Sequence, residues 1–230
     1  MSTKFSLICC DSPWSFSDSL RMGITPRGAD SNYPVLTMPE LKSLPVNAIA
    51  DPAGALLALW VPSALLQDGL DVMKAWGFRQ TQTYIWVKSK KDPFKELTKY
   101  FGKNLTKDIK DLSYFDIIRK YMKSVSEFKL TTMLGFGMGR LFRNTHEICL
   151  IGINNNKIYS KLKNKSQRSV CFATNLKHSS KPEHLQDSLE LMFPDAEKIE
   201  LFARRQRPGW TCLGNEIDQL DIRDALNKLI

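Results

Sequence analysis

Lys4-Phe5-Ser6-Leu7-Ile8-Cys9-Cys10-Asp11-Ser12-Pro13-Trp14 opens the chain with an almost unbroken apolar run that halts at a carboxylate, a serine and a proline. Continuous rather than alternating apolarity is the pattern of a strand buried on both faces, as parallel sheets require. Asp11, Ser12, Pro13 and Trp14 then lie just past a strand's carboxyl end, where open α/β sheets place their ligands.

Six further runs read as strands: Ala55–Val61, Gln82–Lys88, Glu147–Ile153, Arg168–Thr174, Lys198–Ala203 and Trp210–Leu213. Helical signals fall between several of them. Thr37-Met38-Pro39-Glu40 has the spacing of a capping box, opening a helix that ends near Leu44-Pro45. Ser63 is placed to cap a helix with Leu66, Leu70 and Met73 on one stripe and Gly77 as its stop. Ser180-Lys181-Pro182-Glu183 predicts a second capping box before Leu185, Leu189 and Met192, and Ile217–Ile230 is amphipathic. Strands alternating with helices predict an α/β, Rossmann-like fold: a mostly parallel sheet of about seven strands with helices on both faces.

The 230 residues suit a single domain spanning 1–230 with one insertion. At 43% apolar and 25% charged, the composition excludes wholesale disorder. Ala53–Val61, the longest apolar run, has nine residues, less than half of the roughly 20 a membrane-spanning helix needs. The opening residues carry no basic segment followed by a long apolar one, so no secretory leader is expected. Cys9, Cys10, Cys149, Cys171 and Cys212 form no CxxC pair and sit in strand-like surroundings, where a thiol behaves as a small hydrophobe. The expectation is a reduced, intracellular protein, cytoplasmic or nucleoid-associated and not secreted. His146, His178 and His184 have no metal-ligand spacing, so no metal is expected.

Lys+Arg total 33 against 24 Asp+Glu, a formal charge of +9 that favours an anionic partner. From Lys88 to Lys129 there are twelve cationic residues and six acids, which puts +6 of that charge in about forty residues. Leu112, Phe115, Ile118, Met122 and Val125 recur there at helical spacing. This lysine-rich, partly helical insertion at about 88–130 reads either as a solvated face or as an arm that contacts phosphates without reading bases.

Asp11-Ser12-Pro13-Trp14 supplies what methylation of a ring-conjugated amine requires. The exocyclic nitrogen of adenine or cytosine is a poor nucleophile because its lone pair is delocalised into the base. A carboxylate (Asp11) and a backbone carbonyl (Ser12) holding its two hydrogens would draw it toward a more reactive tetrahedral state, and Trp14 could stack the flipped base. A strand-terminating turn with a partly buried tryptophan uses the same residues.

DSPW is followed in order by NYPVLTMPELKSLP, LLALWV, VMKAWGF, YIWVK, RNTHEICLIG, SSKPEHLQDSLELMFPDAEKIELFARRQRPGW and LGNE. Together these blocks resemble the MT-A70 family, S-adenosylmethionine-dependent methyltransferases acting on the 6-amino group of adenine in DNA or RNA. The resemblance covers nearly the whole chain outside the lysine-rich stretch and implies the permuted order in which the catalytic strand precedes the cofactor strand. It implies that Asp11, Ser12, Pro13 and Trp14 match the DPPW motif, bordering the cofactor's methionine end. Tyr33 matches an aromatic on the loop that closes over the base, Lys181 a lysine contacting the cofactor's carboxylate, and Arg204 an arginine lining its pocket. Asn215 and Glu216 match the pair contacting the cofactor's ribose and adenine.

Each assignment has a plainer counterpart. Lys181 falls in the predicted first helical turn, where the macrodipole disfavours a cation unless an anion shares the site, but a solvent-facing lysine is also tolerated there. Asn215 and Glu216 could cap a helix. Arg205 and Arg207 could form a phosphate patch. Gly135-Phe136-Gly137-Met138-Gly139 lacks the context of a dinucleotide fingerprint and reads as a loop before Arg143 and Asn144. Those two residues, with Lys88, are expected to contact the substrate.

Ser12 stands where the family commonly has proline. The carbonyl acceptor survives that exchange, at a loss of about 0.4–1 kcal/mol in chain stiffness. The expected function is therefore adenine methylation in nucleic acid, with the assembly left open, a homodimer or a heterodimer included. DNA is favoured over RNA because no zinc finger or partner domain is evident. An inactive nucleic-acid-binding partner subunit of the same fold, or methylation of a cytosine amine, are the alternatives.

Overall fold

The computed structural model describes residues 3–15, 35–92, 129–137, 139, 141–174 and 180–230, with 95, 99, 113, 116, 119, 120 and 123 among the rest. Tyr33, and the helical spacing from Leu112 to Val125, lie outside the described residues.

The chain divides into two compact units. The first comprises Met1–Ile85, Glu147–Val170 and Glu183–Ile230; the second, Trp86–His146 and Cys171–Pro182, contains the 88–130 stretch. Charge divides with them. The second unit carries 16 Lys and Arg against six acids, a net +10, and the first carries 17 against 18, a net −1.

All seven expected strands form: β1 (Leu7–Cys10), β2 (Leu56–Val61), β3 (Arg79–Ser89), β4 (His146–Ile153), β5 (Val170–Thr174), β6 (Lys198–Leu201) and β7 (Thr211–Leu213). Their order in one sheet is β5-β3-β4-β2-β1-β6-β7. β1 pairs in parallel with β2 and β6, and β6 with β7, whereas β4 runs antiparallel to β2. The protein is thus α/β with a mostly parallel Rossmann-like sheet.

Every residue of β1 and β2 is buried, which accounts for their unbroken apolar sequence. Ile8, Cys10, Leu57, Leu59, Ile199 and Leu201 share one face in register, and their core includes residues of α1 (Met38–Ser43), α2 (Val46–Ile49), α3 (Leu66–Ala75) and α6 (Ile222–Asn227). Leu7, Cys9 and Glu200 point to the other face, where α4 (His184–Met192) contributes buried Leu185 and Leu189.

Thr37 caps α1 as predicted: its Oγ1 accepts from the Glu40 N–H at 3.4 Å, and its own N–H donates to Glu40 Oε2 at 2.8 Å. Two other helix readings need correction. Ser63 does not cap α3; it begins a 3₁₀ turn, Ser63–Leu65, and the buried stripe is Gly69, Val72 and Met73, with Leu66 39% exposed. The box at Ser180 does not form either, because α4 starts at His184 and the Glu183 carboxylate is bound by Arg205 and Arg207. The terminal segment is two short helices, α5 (Asn215–Asp218) and α6, separated by left-handed Gln219 at φ 58°.

Candidate active site

β1 lies between β2, the next strand in sequence, and β6, which the chain reaches only after visiting the far side of the sheet. Successive connections therefore leave β1 in opposite directions, which makes the carboxyl ends of β1 and β6 a topological switch point. Asp11–Trp14 follows β1, Arg204 follows β6, and Asn215 and Glu216 follow β7. Because these strands are adjacent and parallel, all three segments leave the same edge of the sheet.

The turn after β1 is tightly held. The Trp14 N–H donates to the Ser12 carbonyl at 3.0 Å, closing a three-residue turn around Pro13, whose fixed φ suits that geometry. The Pro13 carbonyl accepts from the Leu36 N–H at 3.1 Å, and the Trp14 indole N–H donates to the Trp60 carbonyl of β2 at 2.9 Å. Ser12 is 5% exposed, with its Oγ 3.2 Å from Cys10 Sγ. Burial pushes the Cys10 thiol up to about 12, so this contact is to a neutral thiol. Although one lone pair of the Ser12 carbonyl serves Trp14, a carbonyl has two.

Trp14 departs from the expected stacking plate. It is 4% exposed and its polar edge is committed to β2, so its ring works as an anchored wall of the turn. Asp11 is half-buried, and its charge is felt by Cys10 and by Glu200.

Glu200 is a residue the sequence reading passed over. It sits in β6 opposite Cys9 and Cys212, and burial, reinforced by the nearby Asp11 charge, pushes its carboxyl up toward the neutral form. Gln186 Nε2 donates to it at 3.4 Å, while Gln186 Oε1 is buried with no hydrogen-bond partner among the described residues. A carboxylate in the middle of the apolar run Lys198–Ala203 was the available signal. Phe202 was also missed. It adopts φ 61°, a conformation that costs a non-glycine residue about 1–2 kcal/mol and has no reliable sequence mark at phenylalanine. The bend lets the Ala203 N–H reach the Leu213 carbonyl at 2.8 Å.

Gly214 lies against Ala203 so closely that any side chain there would collide with the Ala203 carbonyl oxygen. That contact ties the end of β7 to the Arg204 segment. Arg204 Nε is 3.8 Å from Glu216 Oε1, and Asn215 and Glu216 are exposed. The helix-cap alternative for Asn215 fails because Gly214 holds the cap position. Arg205 and Arg207 are not a phosphate patch: Arg205 pairs with Glu183, and Arg207, 11% exposed, binds Glu183, Asp187 and Glu190 at 2.5, 2.6 and 2.8 Å.

The remaining predicted residues lie in the second unit. Lys88 is 8% exposed with its Nζ 5.3 Å from the Trp86 ring centre, so it belongs to that unit's packing rather than to an open surface. Arg143 and Asn144 are exposed at the end of a hairpin. Lys181 is half-buried and precedes α4 instead of lying in its first turn, so the macrodipole argument does not apply to it. All five cysteines are buried and outside disulfides. Among the described residues, no helix is long and apolar enough to cross a membrane.

The sequence profile of the MT-A70 family matches residues 5–127 and 119–216. An "N(6)-adenosine-methyltransferase MT-A70-like protein" of Drosophila melanogaster is 24% identical over 223 residues, 96% of this chain and 28% of that protein. The human "N(6)-adenosine-methyltransferase catalytic subunit METTL3" is 23% identical over 96% of this chain and 30% of its own length. The "Type II methyltransferase M.MunI" of Mycoplasma sp is 24% identical over 93% of this chain and 78% of its own length. The chain therefore spans less than a third of the first two relatives and most of the third.

Proposed function

The chain belongs to the MT-A70 family, and from that membership we propose that it methylates the exocyclic 6-amino group of adenine in nucleic acid, with S-adenosylmethionine as donor. The observation that carries this reading is the pair of acceptors at the switch point: the Asp11 carboxylate and the Ser12 carbonyl on a turn pinned to β2. Each accepts one amine hydrogen, and the nitrogen lone pair is thereby freed from the ring for attack. Asp11 is also the acceptor toward which the proton released on N–C bond formation can move.

The donor set at the neighbouring strand ends fits the cofactor. An amide and a carboxylate at Asn215 and Glu216 suit ribose hydroxyls, and the Arg204 cation suits the cofactor's oxygen-rich parts. Bound there, S-adenosylmethionine supplies an electrophilic methyl on sulfur and leaves as a neutral thioether. Rigid anchoring of the turn by Trp14 and Pro13 keeps the acceptors in place, so little ordering remains at the moment of reaction.

DNA is favoured over RNA: of the relatives named, the one matched over most of its own length is a type II methyltransferase. The chain is read as soluble and intracellular, alone or paired with a second subunit. The decisive experiment is transfer of labelled methyl to DNA and RNA side by side, followed by nucleoside identification. N6-methyldeoxyadenosine is expected. A methylated cytosine would reassign the base. No label in either polymer, together with no calorimetric response to millimolar cofactor, would leave a non-catalytic binding subunit.

A further inference from the structure

Residues 129–146 of the second unit contain Lys129, Arg140 and Arg143 and no acid. Gly137 and Asn144 close a hairpin there, each N–H donating to the other's carbonyl, at 2.8 and 3.2 Å. Its stem is fixed to the end of β3: the Gly135 N–H donates to the Lys88 carbonyl and the Lys88 N–H to that of Thr145, both at 2.8 Å. Any side chain at Gly139 would collide with the Phe142 carbonyl oxygen, so the turn is tight and depends on glycine.

Leu141 and Phe142 occupy this tip and are 93% and 85% exposed, the most exposed large hydrophobic side chains among the described residues. Phe136 and Phe172, in the same unit, are 59% and 66% exposed. Isolated apolar residues on a surface need no explanation, but two adjacent ones on a braced tip mark a contact. Two features limit the occupant. The unit's net charge of +10 calls for a polyanion, and the tip calls for a partner that also offers apolar surface. Stacked bases flanked by phosphates combine both.

We propose that the Leu141-Phe142 tip is an apolar wedge that enters the base stack of duplex nucleic acid, with Arg143 at the adjoining phosphates. The wedge fills the space a base leaves when it swings out and so offsets the cost of unstacking. This rests on the proposed nucleic-acid substrate and goes beyond it, because nothing in the amine-methylation chemistry requires a paired target.

The test uses the full chain with Leu141 and Phe142 both replaced by alanine, on random-sequence DNA as duplex and after heat denaturation. For the double variant, kcat/KM should fall about tenfold or more on duplex and stay within about twofold on denatured strands, the scale of one lost stacking contact. Arg143→Ala should lower both substrates alike. Equal losses on both DNA forms for the double variant, no loss on either, or wild-type transfer confined to single strands would each overturn the wedge.

A wild type inactive on all nucleic acid would instead break the substrate reading. Binding then judges the wedge: with a duplex containing 2-aminopurine, emission should rise with wild type and not with the double variant. If wild type is a dimer that the double variant dissolves, with binding unchanged, the tip is a contact between copies and the proposal is lost.

Discussion

Arg207 in the first unit and Arg143 in the second show two uses of the same side chain. Arg207 is enclosed by Glu183, Asp187 and Glu190 and bridges α4 to the β6–β7 connection, in a unit whose charges nearly cancel at −1. Arg143 is exposed beside Leu141 and Phe142, in a unit whose charge of +10 exceeds that of the whole chain. Matched charges mainly order the fold, whereas a net surplus projects a field that attracts a polyanion. In this reading the first unit supplies chemistry and the second affinity, so the two should be separable by mutation.

The largest effect should come from the first unit. Asp11→Asn is expected to lower kcat by about 10²–10³-fold, the scale of one removed transition-state hydrogen-bond partner. Its unfolding midpoint and DNA affinity should match wild type; a drop in affinity as large as the drop in rate would undo the separation. The second unit should respond to salt. Log affinity for DNA should fall linearly with log salt, and Arg143→Ala should reduce the slope by about 1 if that residue meets a phosphate. The same variant should leave cofactor affinity unchanged by calorimetry.

Arg207→Ala tests the opposite case. It should cost about 1–2 kcal/mol, with solvent around the half-exposed carboxylates limiting the loss, and leave the salt slope of DNA binding intact. Arg207 also sets an acid limit. Its hydrogen bond holds the Glu190 carboxyl below the ordinary carboxylate range, against the opposing pull of burial. A depressed folded-state value means that this stabilisation is present above the unfolded value of about 4.3 and is lost as pH falls through the folded one. Thermal melts between pH 6 and acid, on scales set by such carboxylates, should therefore converge for wild type and Arg207→Ala as the pH drops.

Ser12→Pro should have the smallest effect. It regains about 0.4–1 kcal/mol of stiffness but gives up the contact with Cys10 Sγ, so stability and rate should both stay near wild type. A large gain in rate would show that the serine limits the turn.

Much of this was legible along the chain. The seven strands stand out because burial on both faces leaves no alternation to obscure them, and Thr37-Met38-Pro39-Glu40 announces α1 because a capping box is local. The failures share a cause. Ser180 and Glu183 have the spacing of a cap, but Glu183 is claimed by arginines 22 and 24 positions away. Arg205 and Arg207 look like a phosphate patch until Glu183 and the carboxylates of α4 arrive. Trp14 reads as an open plate until β2 takes its indole N–H.

The sequence alone determined the strands, the turn that follows the first of them and the family to which they belong, because these depend on contiguous residues. Only the tertiary structure decided that β1 sits at the switch point beside β6, that Glu200 lies near Asp11, and which arginines are neutralised within the fold. Those outcomes depend on which distant segments become neighbours, and strand order and long-range ion pairing leave no periodic trace along a chain.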